Sequence, residues 1–312
     1  MILLAIRRIR EVGFFNLIKI HLKRITGVTK REDEMNTLFF LLNNYVDITK
    51  LPPIKDTELQ QLQKCLLALM AIFHKVCEKH KLRYWISYGT VLGAVRHGGF
   101  IPWDDDVDVS MLREDYDKLE GLVKSELASY GIEFENDHYF VTTHISYKRN
   151  QTGVFMDVFP IYECQVKDDY SSSKEIVRKV ASKQRAFYRN LRNQNDKIKI
   201  DNHRNMLFSR LEQGKNTLLL HTPEDNGQGS VYEKSDVFPL KKMCFEGMDL
   251  WAPNNPNEYL EKIYGRSYMQ FPRTGVEHHV ASGGVLAKSI AKLNGINMEE
   301  VCEYLNDVAK KI

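Results

Sequence analysis

Several things are scarce in this chain of 312 residues, and each scarcity removes a class of protein. Its five cysteines, Cys65, Cys77, Cys164, Cys244 and Cys302, are odd in number and form no CxxC pair. Neither a zinc site nor a disulfide framework is indicated, and a reducing compartment fits best. No apolar run approaches the roughly 18 residues of a membrane-crossing helix. The N-terminal apolar stretches are too short, and too interrupted by arginine, for a secretory signal peptide. A formal net charge of +3 is too small to argue for nucleic acid as a partner. Internal repeats and low-complexity linkers are also missing. What remains, 43% hydrophobic and 27% charged residues, is the composition of an ordinary folded protein with a sizeable core.

The most informative stretch is Tyr84–Met111, YWISYGTVLGAVRHGGFIPWDDDVDVSM. Residues 84–88 are aromatic and β-branched, which predicts a strand ending at Gly89-Thr90, where a glycine admits a phosphate and a hydroxyl can donate to it. Val91, Leu92 and Val95 at one-turn spacing predict a short helix, so the amides of residues 89–91 would open an anion-favouring N-terminus. Arg96, His97, Gly98 and Gly99 then turn the chain. From Asp104 the pattern becomes a strict alternation through Val109, which is strand periodicity. Asp106 and Asp108 then share one face with Asp104, Asp105 faces away, and Val107 and Val109 enter the core. Two carboxylates on one strand make a divalent-metal clamp. A calcium loop of EF-hand type is the alternative, but the central glycine and terminal glutamate it needs are missing.

A second signal lies in Thr152–Tyr162, TGVFMDVFPIY, where Asp157 is the lone charge in an apolar strand, on the face of Phe155 and Phe159. Buried unpaired, it would cost several kcal/mol, so it must be neutralised or bound. The plainer reading is a strand-end aspartate capping a turn before Pro160.

Gly-Thr followed by LGAVRHGGFIPWDDDVDV resembles the LicD family of phosphotransferases, itself similar to the fukutin group within the nucleotidyltransferase-like superfamily. Thr90 stands where serine is commoner and keeps the hydroxyl. The resemblance is dense over residues 58–120 and returns at Phe155–Pro160 (FMDVFP) and Tyr264–Pro272 (YGRSYMQFP). It implies an α+β fold, a nucleotidyltransferase-like mixed sheet with flanking helices and a helical C-terminal elaboration. It also implies a metal site of Asp106, Asp108 and Asp157, the last supplied by a neighbouring strand, with Asp104 reaching the metal as in the fukutin-like arrangement. The cofactor so implied is Mg²⁺ or Mn²⁺. The reaction moves a phospho-alcohol such as phosphocholine from a CDP-activated donor to a hydroxyl of a cell-surface glycan or its lipid-linked precursor, releasing CMP. Gly89 and Thr90 would bind phosphate. Arg96 would meet a pyrophosphate oxygen or pair with one of the aspartates, and His97 would donate a proton or stabilise the turn. Rival readings are a GT-A glycosyltransferase using Asp106-Val107-Asp108, a nucleotidyltransferase adding NMP to a small acceptor, and a scaffold without catalysis.

The remaining sequence divides into a basic arm (1–55), a catalytic core (56–165) and a mostly helical accessory region (166–312). Residues 1–30 carry seven Lys/Arg against one acid with an apolar stripe at helical spacing. That suits either peripheral contact with the inner face of a cell membrane or docking on the protein's own domain, in a cytoplasmic setting. Leu59, Leu62, Leu66, Leu69, Phe73 and Val76 predict a core helix from about Asp56 to His80. A helix over residues 113–129, short strands over 131–148, a hairpin turning at Glu246-Gly247 and a closing helix over 297–311 complete the expectation. Residues 174–215 hold twelve Lys/Arg against four acids, a solvated face or a docking surface for an anionic acceptor.

Overall fold

The computed structural model describes residues 28–52, 55, 57–137, 142–166, 175, 216–221, 231–272 and 291–312. Most of the basic arm, most of the 174–215 run and the polar loop at 222–230 lie outside the described residues. The chain divides into two compact units, Met1–Lys50 with Gln270–Arg273, and Leu51–Met269 with Thr274–Ile312. The first contains helix α1, Val28–Tyr45, followed by a single 3₁₀ turn at Ile48–Lys50, and there the Phe271 amide donates to Asn43 Oδ1 at 2.8 Å.

The second unit is built on α2, Thr57–His80. Its six spaced apolar residues, Leu59 to Val76, are all buried as the spacing predicts, and each such side chain contributes about 1.5–3 kcal/mol of burial. Helix α6, Met298–Lys311, packs along it. Residue Asn297 caps α6, its side chain accepting from the Glu299 amide.

The sheet follows, as β1 (Tyr84–Ile86), β2 (Asp108–Leu112), β3 (Ile132–Asp137), β4 (Thr142–Tyr147), β5 (Val154–Val166), β6 (Asn216–His221) and β7 (Val231–Glu233). Helix α3, Tyr88–His97, joins β1 to β2, and α4, Arg113–Leu122, leaves β2 and continues as irregular helical turns to Tyr130. The path is β1-β2-β5-β4-β3, with β6 on the far half of β5 and β7 on β6. All these pairings are antiparallel except β2 with β5. The sheet is therefore mixed and the fold is α+β. Parallel partners cannot be joined by a tight turn; here α4, β3 and β4 fill the crossover.

A two-stranded hairpin, β8 (Lys241–Phe245) and β9 (Met248–Ala252), turns at Glu246-Gly247 as expected, and α5, Pro256–Tyr264, follows. The hairpin tip holds the turn after α3: the Glu246 amide donates to Gly98 O, and Glu246 Oε1 accepts from the Phe100 amide, both at 3.0 Å. Gly98 needs its missing side chain there, since it ends α3 at φ +72°.

Two boundaries differ from the sequence reading. Strand β2 starts at Asp108, not at Asp104, because the Asp104 amide closes a turn onto Ile101 O at 2.9 Å and its carbonyl accepts from Gln63 Nε2. Only Val107 O is drawn into the sheet pattern ahead of the strand, accepting from the Asp157 amide at 2.8 Å. Helix α3 starts one residue earlier than the expected amide nest, at Tyr88, whose φ is +42°. Its ring meets Phe159 edge-on at 5.0 Å, and that packing offsets the uncommon backbone conformation.

Candidate active site

Asp108 is the first residue of β2, and in the parallel register it lies opposite Asp157 of β5. Asp106, two residues upstream, completes a group in which one carboxylate oxygen from each residue lies within 4.8 Å of the others. Asp108 is 6% exposed. Burial, then the charges of Asp106, Asp157 and Asp104, push its carboxyl well above the usual aspartate range, and the Gly89 amide, donating to Oδ2 at 3.2 Å, opposes the shift. Three converging carboxylates, one of them buried, are a poor arrangement alone and a good one around a hard divalent cation, which prefers oxygen ligands. The donor set therefore fits a hard divalent cation.

The other expected residues fall in different places. Asp104 is buried but stands outside that group; its Oδ2 fills the space where a Cβ at Gly89 would be, 2.9 Å from that position. A side chain at 89 would have to displace that carboxylate. Asp105, expected to face away, instead groups with Asp104 and Asp106. Residues 104–107 are not strand, so the alternation that separated these side chains does not apply to them.

Thr90 is 2% exposed, and its hydroxyl oxygen accepts from the Asp108 amide at 2.8 Å. In this structure it ties the start of α3 to the start of β2. The amides expected to cradle phosphate are engaged similarly, that of Gly89 by Asp108 and that of Val91 by Ser87 O at 3.1 Å. The N-terminus of α3 thus faces a protein carboxylate, which its partial positive charge stabilises. Arg96 is buried, with its guanidinium donating to Tyr268 O at 3.1 Å and to His97 Nε2 at 3.0 Å. Burial lowers its pKa and the charge of Asp104 opposes that shift, so the guanidinium lies near an aspartate while its hydrogen bond holds the Tyr268 carbonyl. Burial and the adjacent Arg96 cation push His97 down to about 4, so it is neutral near pH 7, and its Nε2 accepts from Arg96 at the end of the helix.

Two residues near the site were not among the expected site residues, although Tyr264 opens one of the stretches that carry the resemblance. His144 of β4 sits directly opposite Asp157, with Nδ1 at 2.5 Å from Oδ1. Tyr264, at the end of α5, has its hydroxyl pushed well above the ordinary range by burial of that end and by Asp108, Asp104 and Asp106, although 42% of the residue is exposed. A protonated phenol beside acidic groups donates to them or to an anion between them. Only the folded chain brings either residue to the carboxylates.

The mixed α+β sheet thus gathers carboxylates from the start of one strand and from its parallel neighbour. Residues 81–175 match the family described as LicD/FKTN/FKRP, nucleotidyltransferase domain. The chain is 27% identical over 267 residues to the lipopolysaccharide cholinephosphotransferase LicD of Haemophilus influenzae, a match covering 75% of this chain and 100% of that protein. It is 35% identical over 91 residues to the mouse ribitol 5-phosphate transferase FKRP, covering 28% of this chain and 18% of the relative. The human FKRP match is 46% over 54 residues, or 17% and 11% of the two chains.

Proposed function

We propose that this protein is a metal-dependent phosphotransferase that moves a phospho-alcohol unit from a CDP-activated donor to a hydroxyl of a cell-surface glycan or its lipid-linked precursor. The observation that carries the reading is the grouping of Asp106, Asp108 and Asp157 within 4.8 Å. The relatives support the same class, since a cholinephosphotransferase and a ribitol 5-phosphate transferase differ in alcohol and share the transfer of its phosphate ester.

Asp106, Asp108 and Asp157 would hold Mg²⁺ or Mn²⁺, which supplies charge neutralisation on the donor's phosphates during in-line displacement. The chain's own contribution is positioning. Thr90 Oγ1 and the Gly89 amide fix the backbone and the carboxylate of Asp108. The acceptor oxygen bonds to the phosphorus next to the alcohol, the bond from that phosphorus to the CMP oxygen breaks, and the hydroxyl proton passes to Asp157 as general base. Residues 1–30 are proposed to add a salt-sensitive contact with an anionic membrane face.

The test is to incubate the protein and Mg²⁺ with CDP-choline, CDP-ethanolamine, CDP-glycerol and CDP-ribitol in turn. CMP release from at least one, lost in Asp108→Asn, is the expected result. Pyrophosphate release from a nucleoside triphosphate, with NMP on the acceptor, would replace this reading by the nucleotidyltransferase one, which the description of the matched domain favours.

A further inference from the structure

We propose that His144 is a positioning residue for this site, holding one oxygen of Asp157 so that the second oxygen is the one presented to Asp106 and Asp108. The inference rests on the metal-dependent reading above and extends it to a residue on a third strand.

Strand β4 pairs with β5 antiparallel, and in that register His144 is the direct partner of Asp157. Side chains of direct cross-strand partners stand on the same face with Cβ atoms about 4.5–5.5 Å apart. His144 therefore has little choice of neighbour. Its Nδ1 lies 2.5 Å from Asp157 Oδ1, with side-chain exposures of 7% and 16%. Both atoms are sealed from water, and the contact is close without the angles of a well-aligned hydrogen bond. The ring is fixed from another direction as well. Phe155, two residues before Asp157 and so on the same face, meets it edge-on at 4.8 Å and 85°.

An ordinary core histidine would explain the burial, and the register the neighbour; neither explains a ring nitrogen 2.5 Å from an oxygen of a carboxylate that belongs to the acidic group. A proton on Nδ1, in the neutral or the charged ring, satisfies one carboxylate oxygen and takes it out of competition. Carboxylates that hold metals are commonly held in turn by such a partner, and removing it typically weakens metal affinity or activity 10–100-fold. Among the described residues, His144 is not itself in the carboxylate group, so its effect passes through Asp157.

The experiment is a Mn²⁺ titration of melting temperature on the full chain, with CMP release measured in parallel, for the unsubstituted protein, His144→Phe and His144→Asn. Phenylalanine keeps the ring contact with Phe155 and removes the donor; asparagine places an N–H near the Nδ1 position. His144→Phe should need at least about 10-fold more Mn²⁺ for half of the shift, with kcat recovering at saturating metal, and His144→Asn should stay within about threefold. A merely structural histidine would instead lower the metal-free melting temperature in both variants and leave the Mn²⁺ requirement unchanged, which overturns the proposal. No Mn²⁺ response in the unsubstituted protein would remove the metal reading itself, and this inference with it. If His144→Phe does not fold, His144→Asn against His144→Gln decides, because glutamine carries its amide at the Nε2 position: loss of affinity in Gln alone supports the proposal, and equal responses overturn it.

Discussion

Replacing Asp108 by asparagine should stabilise the protein in the presence of a chelator while abolishing its response to metal. With oxygens no more than 4.8 Å apart, two unit charges repel by about 3.5 kcal/mol at an effective dielectric of 20. Asp108 faces two such neighbours. Protonation limits what the folded state actually suffers, so the relief on removing one charge is about 1–3 kcal/mol. Asparagine is close in shape, its Oδ1 can still accept from the Gly89 amide, and the Asp108 amide that donates to Thr90 is backbone. For cooperative unfolding of 312 residues, about 2.1 cal/mol/K per residue converts that relief to a rise of about 2–5 °C. The pH dependence carries a definite sign. Asp108 has a raised folded pKa, so between about pH 4 and that pKa the folded protein binds more protons than the unfolded chain. Stability therefore falls as pH rises through that window, and Asp108→Asn should flatten the fall. Differential scanning calorimetry in EDTA at pH 5 and pH 8 measures the effect, and repetition with Mn²⁺ should show a rise only in the unsubstituted protein. A variant less stable than the parent at pH 8 in EDTA would refute the repulsion argument.

Thr90→Val, nearly isosteric, leaves the buried Asp108 amide without its acceptor and should cost about 1–3 kcal/mol and raise the Mn²⁺ requirement, whereas Thr90→Ser should restore both; thermal denaturation with and without metal checks this. His97, held neutral down to about pH 4, should leave no inflection near pH 6.5 in the pH profile of kcat/KM. A profile whose inflection near pH 6.5 disappears in His97→Asn would return the residue to proton donation.

The sequence by itself determined the elements and their faces. The spacing of Leu59 to Val76 predicted α2, Glu246-Gly247 located the hairpin turn, and the amphipathic pattern from Asn297 foretold α6, because helical and turn periodicities are local properties. It also singled out Asp157, since one charge in an apolar strand is conspicuous without any partner. Pairing entered only through the resemblance, which set Asp157 on a strand neighbouring Asp106 and Asp108 without its direction or register. That β2 runs parallel beside β5 in a register setting Asp108 against Asp157, and that β4 sets His144 against the same residue, depends on contacts across tens of residues that no local pattern encodes. For the same reason the alternation from Asp104 to Val107 misled: a turn onto Ile101 and a hydrogen bond from Gln63 of α2 override strand periodicity there. Thr90 and Arg96 were legible as residues of the motif, but their partners, the Asp108 amide and the Tyr268 carbonyl, exist only once the chain has folded. The chemistry is written in residue types; the distances that let three carboxylates act together belong to the tertiary structure.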